Sequence, residues 1–178
     1  AHDPAQLIAP AIAKSVDGLG VAAEHHFGAE NVARLEDRAD QMVLWLTSEP
    51  AWPTLRGHLL QIATTGTDPV AVLRDAIAQD SLAGAHDIAA VLDWRIDPTR
   101  HLPAGPLPWL PGIPSMLSED PTWGPYLDAR AEQISQLAQQ FRLDAPEQAP
   151  AWQTRLHLPD QLAADLALWR AANAVPEH

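Results

Sequence analysis

The sequence predicts an all-α fold of about seven helices bound by an ordered, Pro-rich strap. Three observations carry that expectation. Apolar residues recur at steps of three and four along most of the chain, and no convincing strand pattern appears. Asp-Pro pairs punctuate it at Asp3-Pro4, Asp68-Pro69, Asp97-Pro98 and Asp120-Pro121. Asp accepts hydrogen bonds from the first free N–H groups of a helix, and Pro suits the first helical position. Finally, 47% of the residues are apolar, which is enough to build a core and argues against disorder.

The elements follow in order. Residues 4–26 carry Ile8, Ile12, Leu19 and Ala23 on one face, and Gly18 and Gly20 predict a kink near DGLG. Residues 30–46 carry Val32, Leu35, Ala39, Met42 and Leu46, with Glu30, Asp37, Arg38 and Asp40 on the solvated side. Residues 54–64 carry Leu55, Leu59 and Ile62 and stop at Gly66; residues 69–79 carry Val70, Leu73 and Ile77. Residues 86–96 carry Ile88, Val91, Leu92 and Ile96, and Asp97-Pro98 ends that helix. Residues 122–142 carry Leu127, Ala131, Ile134, Ala138 and Phe141. Residues 160–173 carry Leu162, Leu166 and Trp169, with Asp160 as the expected cap. No internal repeat has a fixed period. The whole chain, 1–178, reads as a single helical domain: helices over 1–97, the strap over 98–120, and helices over 121–178.

Within the strap, HLPAGPLPWLPGIP (101–114) holds three PxxP spacings, which superficially match ligands of aromatic-groove domains. Its other residues include Leu102, Leu107, Trp109, Leu110 and Ile113, which a solvated linker would not carry. Proline is already restricted, so such a segment loses little entropy on packing. The expectation is an ordered strap with Leu107, Trp109, Leu110 and Ile113 mostly buried.

Composition excludes several functions. There is no Cys, hence no disulfide, thiol catalysis or zinc–thiolate site. No apolar run reaches the roughly 18 residues of a membrane span. The formal charge of −12 opposes a phosphate backbone, so DNA binding is not expected. Arg outnumbers Lys ten to one and Ala is abundant, which suggests a high-GC bacterial gene. The chain opens on AHDPAQL with neither an initiator Met nor a signal-peptide pattern, and is expected to be a piece of a longer protein.

No catalytic constellation emerges. His25 and His26 in EHHFGAE are adjacent, so on a helix they diverge by about 100°, whereas helical metal pairs sit four apart. A helix-end His pair is the expected reading. Tyr126, the single tyrosine, reads as a buried ring with a satisfied hydroxyl. GxSxG, GxxxxGK[ST] and GxGxxG are all missing. In DWRIDP (93–98), Arg95 lies between Asp93 and Asp97, and a guanidinium fork on a carboxylate would fix the helix end to the strap. No catalytic, cofactor-binding or metal-ligating residue is therefore expected. The seven tryptophans divide in two. Trp45, Trp94 and Trp169 fall in predicted helices and are expected in the core. Trp52, Trp109, Trp123 and Trp152 lie beside or near Pro and are the candidate protein-interaction residues, with packing against Pro as the competing reading.

Four stretches, EPAWPTLRGHL (49–59), AAVLDWRIDPT (89–99), GPLPWLPGIPSMLSEDPTWGPYLDAR (105–130) and DLALWRAANAV (165–175), together resemble the MobF-class conjugative relaxase-helicases in their actinobacterial form. The resemblance spans nearly the whole chain and implies a segment downstream of the relaxase and helicase motifs. Such proteins nick plasmid DNA at the transfer origin through a tyrosine, beside a three-histidine metal site, and unwind the duplex with ATP. The His25-His26 pair does not match that histidine cluster, and Tyr126 does not match the nucleophilic tyrosines. No catalytic residue carries over. The resemblance implies a parent and a process, conjugative DNA transfer, but not the role of this module; since no catalytic constellation emerges, the expected role is a non-catalytic docking or scaffolding part of the parent, whose partners would be the parent's other domains or the transfer apparatus. The alternative is an accessory domain guiding single-stranded DNA by Trp stacking. The expected compartment is the cytoplasm, with delivery of the parent to the recipient alongside DNA left open.

Overall fold

The computed structural model describes residues 4–144 and 160–175. Among them are seven α-helices and no strand: α1 (Pro4–Met42), α2 (Trp52–Ala63), α3 (Pro69–Ala78), α4 (Ile88–Ile96), α5 (Ser115–Ser118), α6 (Trp123–Asp144) and α7 (Asp160–Ala172). Short 3-10 turns occupy Leu46–Ser48 and Pro98–Arg100. The all-α expectation is met, and α2, α3, α4, α6 and α7 lie where the periodicity puts them. The two helices predicted over 4–26 and 30–46 are the two halves of α1, separated where the prediction leaves a gap, at the non-helical Gly28 (φ 74°, ψ 157°), and the second half ends at Met42. That backbone is one a side chain rarely tolerates, and the further kink expected at DGLG is not found. Gly18 has a different purpose: a Cβ there would stand 3.1 Å from Cε1 of Tyr126, so the glycine lets α1 and the start of α6 approach.

Asp-Pro chemistry works as expected where it is described. Asp68 caps α3, accepting from the Val70 N–H. Asp120 accepts from the Thr122 and Trp123 N–H groups at the start of α6. Asp97 closes α4 in a left-handed conformation (φ 47°), and its N–H donates to the Asp93 carbonyl. Proline 98 cannot continue the helix and opens a 3-10 turn. The expected caps Asp3 and Asp160 lie outside the residues whose side chains are described.

Contacts group the chain into two compact units, Ala1–Val16 with Ala129–His178, and Asp17–Asp128. Helices α1 and α6 each cross the division. The first unit buries Ile8, Ala11, Ile134, Ala138 and Leu168, and an Arg142–Asp165 ion pair (3.0 Å) links α6 to α7. The second holds the larger core. There α2, α3 and α4 pack on one another pairwise, with Leu55, Leu59, Ile62, Leu73 and Leu92 fully buried. Leu19 and Leu35 of α1 and Leu127 of α6 join that cluster.

The Pro-rich strap is ordered by its own backbone. The Gly105 N–H donates to the Leu110 carbonyl (3.2 Å) and the Gly112 N–H to the Pro103 carbonyl (2.7 Å), around an antiparallel bridge between Ala104 and Pro111. The two arms lie so close that a Cβ on Gly112 would come within 2.3 Å of the Ala104 carbonyl oxygen. Leu102, Leu107 and Leu117 are buried, while Trp109, Leu110 and Ile113 are half-buried. The strap's anchor is thus Leu107, not Trp109.

Two substitutions separate these roles. Leu107→Ala should cost about 2–5 kcal/mol in urea unfolding, as for other buried leucines. Trp109→Ala should cost clearly less than that. Equal midpoints for Leu107→Ala and wild type would refute the anchor.

Candidate functional site

Helix α4 is the most heavily tethered element of the second unit. At its N-terminus, Asp87 accepts from the Ala90 N–H (3.0 Å) through one carboxylate oxygen and from the Ala51 N–H (2.8 Å) through the other. Glu49 reciprocates by accepting from the Ile88 N–H (2.9 Å). The turn before α2 and the first turn of α4 therefore satisfy each other's orphan donors. Midway, Asp93 meets Nδ1 of His58 on α2 at 2.6 Å. Near the end, Arg95 donates to the carbonyls of Ala76 (3.1 Å), Asp80 (3.0 Å) and Ser81 (3.0 Å), and so caps the C-terminus of α3.

These ties fix which face of α4 looks outward. Ala89, Leu92 and Ile96 point into the core. Trp94 is two residues from Leu92, about 200° around the helix, and stands 80% exposed. Together with Ala90, Val91 and Arg95, and with Gln79 and Asp80 after α3, it lines an open groove of about 570 Å³.

The tryptophan expectations are largely inverted. Trp45, Trp94 and Trp169, predicted in the core, are 67%, 80% and 42% exposed. Trp45 misses the core because α1 stops at Met42, and residue 45 turns outward in a left-handed conformation (φ 65°). Such a conformation is costly for a large side chain. Leu44 beside it is exposed too. Of the candidate interaction residues, Trp52 lies inside the core, 4% exposed, and its indole N–H has no hydrogen-bond partner among the described residues. Trp109 and Trp123 are half-buried, and Trp152 lies outside the described residues. Proline adjacency therefore marked packing at Trp52, while the outward tryptophans stand off the core face of a helix, as Trp94 does, or beyond a helix end, as Trp45 does.

The DWRIDP expectation is corrected in its partners. Among the described residues Arg95 pairs with no carboxylate; residues two apart on a helix diverge, so it reaches across to α3 instead. Asp93 takes His58, and Asp97 takes Arg100 (3.0 Å) and the Thr99 hydroxyl (2.6 Å). A carboxylate on Nδ1 orients an imidazole as acyl-transfer sites do, but that chemistry also needs a hydroxyl against Nε2. Among the described residues none hydrogen-bonds there. The pair joins α2 to α4.

His25 and His26 are exposed. The Trp123 indole N–H donates to Nδ1 of His25 (3.5 Å), and Trp123 stands edge-on to Tyr126 (6.0 Å, 83°). Tyr126 is exposed rather than buried as predicted, because it lies over Gly18 at the rim of the α1–α6 contact. Among the described residues no group of three or more His, Asp or Glu side chains is arranged to hold a metal ion. No family model, curated protein or solved structure matches the chain.

One electrostatic feature is testable. The Asp120 carboxylate is held below its ordinary value of 3.8, chiefly by the Trp123 N–H, then by the Thr122 N–H, with the charges of His26 and His25 adding. A depressed folded-state value stabilises the fold above the unfolded-state value and loses that effect as pH falls through the folded one. Asp120→Asn keeps an acceptor at the cap and removes the charge. Its melting temperature should lie below wild type at neutral pH, and the two should converge below about pH 3.8. A constant gap down to pH 2 would show that the charge is not the stabilising factor.

Proposed function

We propose that this chain is a non-catalytic docking module of a conjugative relaxase-helicase, acting in plasmid DNA transfer. The observation that carries the reading is Trp94: a large aromatic held in water by a helix tethered at both ends, beside an open groove. Aromatic side chains presented by rigid elements are the usual anchors of protein interfaces. The four stretches that resemble the MobF-class proteins supply the process and the parent, and one of them, AAVLDWRIDPT, is α4 itself with its terminating turn. The −12 charge favours a protein partner over a DNA strand, because counterion release needs cations on the protein. The partners on this reading are the parent's other domains or proteins of the transfer apparatus, met in the cytoplasm.

Deleting residues 1–178 from the parent should leave origin nicking and ATP hydrolysis largely intact, while plasmid transfer between cells falls at least about five-fold, the loss expected when an anchoring contact worth more than about 1 kcal/mol goes. Unchanged mating would remove the docking reading. Abolished nicking would assign the module to support of the catalytic domains instead.

A further inference from the structure

We infer that the groove between α3 and α4 receives a basic peptide segment of a protein partner, with an arginine or lysine side chain laid over the Trp94 indole. The inference rests on the docking reading and names the surface and the chemistry of its occupant. Three observations converge. Trp94 offers an open aromatic face, which attracts cations through its quadrupole. Asp80, exposed and among the residues that line the groove, uses one carboxylate oxygen on the Ser81 N–H and brings a negative charge to the groove's edge. One turn before Gln79 on the same side of α3 stands exposed Asp75. The lining does contain one cation, Arg95, but its guanidinium donates to three backbone carbonyls at the C-terminal end of α3. Its charge therefore offsets that helix terminus, which otherwise carries negative potential.

The wider surface has the same sign. The unit Asp17–Asp128 contains sixteen acidic residues against six arginines and no lysine; of those arginines, Arg74 is exposed beside Asp75 on α3 and Arg100 is paired with Asp97. An acidic partner or a nucleic acid would face repulsion here, and a purely apolar segment would leave Asp75 and Asp80 unused. The groove's volume, about 570 Å³, lies within the range of clefts that take a few large side chains.

The test uses the 178-residue chain and a short fluorescein-labelled peptide alternating arginine and leucine, with versions carrying glutamate or glutamine in place of arginine. The arginine peptide should bind, shift the indole N–H resonance of Trp94, and weaken as salt rises. Trp94→Ala should lower its affinity about ten-fold, and Asp80→Asn should lower it less. Trp45→Ala, an exposed tryptophan outside the groove, should leave it within about two-fold. Trp94 is exposed, so its variant should melt like wild type; if it does not, Asp80→Asn decides. Equal binding of the glutamate peptide, or arginine-peptide binding indifferent to both groove variants, overturns the inference. If the deletion lowers mating but no arginine peptide binds, this inference falls and the docking reading stands. If the arginine peptide binds through Trp94 but mating survives the deletion, the groove stands and the transfer reading falls.

Discussion

The second unit depends on one carboxylate, that of Asp87. It caps α4 through Ala90 and at the same time takes the Ala51 N–H from the turn leading into α2. Glu49 returns the bond to Ile88. These backbone donors are the ones a helix start leaves unpaired, and two acidic side chains satisfy three of them, two across separations of 36 and 39 residues. Charge-assisted bonds to backbone N–H groups are among the stronger hydrogen bonds, and a negative charge at a helix N-terminus also meets the favourable end of its dipole. With α4 fixed at this end and by Arg95 at the other, Leu92 and Ile96 are committed to the core and Trp94 to solvent.

That commitment has a consequence for how the surface is built. A tryptophan in the core contributes through burial, as Trp52 does although its indole N–H has no partner among the described residues. Trp94 contributes little of that kind, because most of its surface stays in water. A rigid helix presenting such a side chain is preorganised: little conformational freedom remains to be lost when a partner covers it. The acidic excess of the chain, −12 in formal charge, gives its surroundings a negative field that attracts cations and repels anions. Trp45, left-handed and exposed next to Leu44, is a second outward aromatic, and nothing in its surroundings indicates what would cover it.

Much of the helical architecture was legible in the sequence because it is written in local rules. The 3-4 spacing located α2, α3, α4, α6 and α7, and Asp-Pro located the starts of α3 and α6. The gap between the two halves of α1 was legible, but the kink expected at DGLG was not borne out, because two kinds of glycine look alike in sequence: Gly18 serves close packing and Gly28 a positive φ. The outward tryptophans were legible in principle, since Trp94 is off the Leu92–Ile96 face, but hydrophobicity outweighed register in that reading. The long-range ties were not legible. Asp87 reads as a cap, yet its second bond to Ala51, the His58–Asp93 pair and the reach of Arg95 to α3 depend on tertiary placement. Proline adjacency was a poor guide to exposure, because proline at a helix start, as at Pro53 after Trp52, belongs to capping geometry.

Native-state hydrogen exchange at the amides of Ala51, Ile88 and Ala90 tests most directly whether one linked set of bonds holds α4 and presents its outer face. All three donate to the Glu49 and Asp87 carboxylates. If that set is a single structural unit, the three amides open together and only with global unfolding, at the rate of core amides such as Leu59 and Ile62. In Asp87→Ala all three should then exchange faster, and the Trp94 indole resonance should broaden as α4 loosens. Independent, fast exchange at Ala51 or Ile88 in the wild-type protein, or an Asp87→Ala variant in which α4 stays as protected as before, would contradict the account.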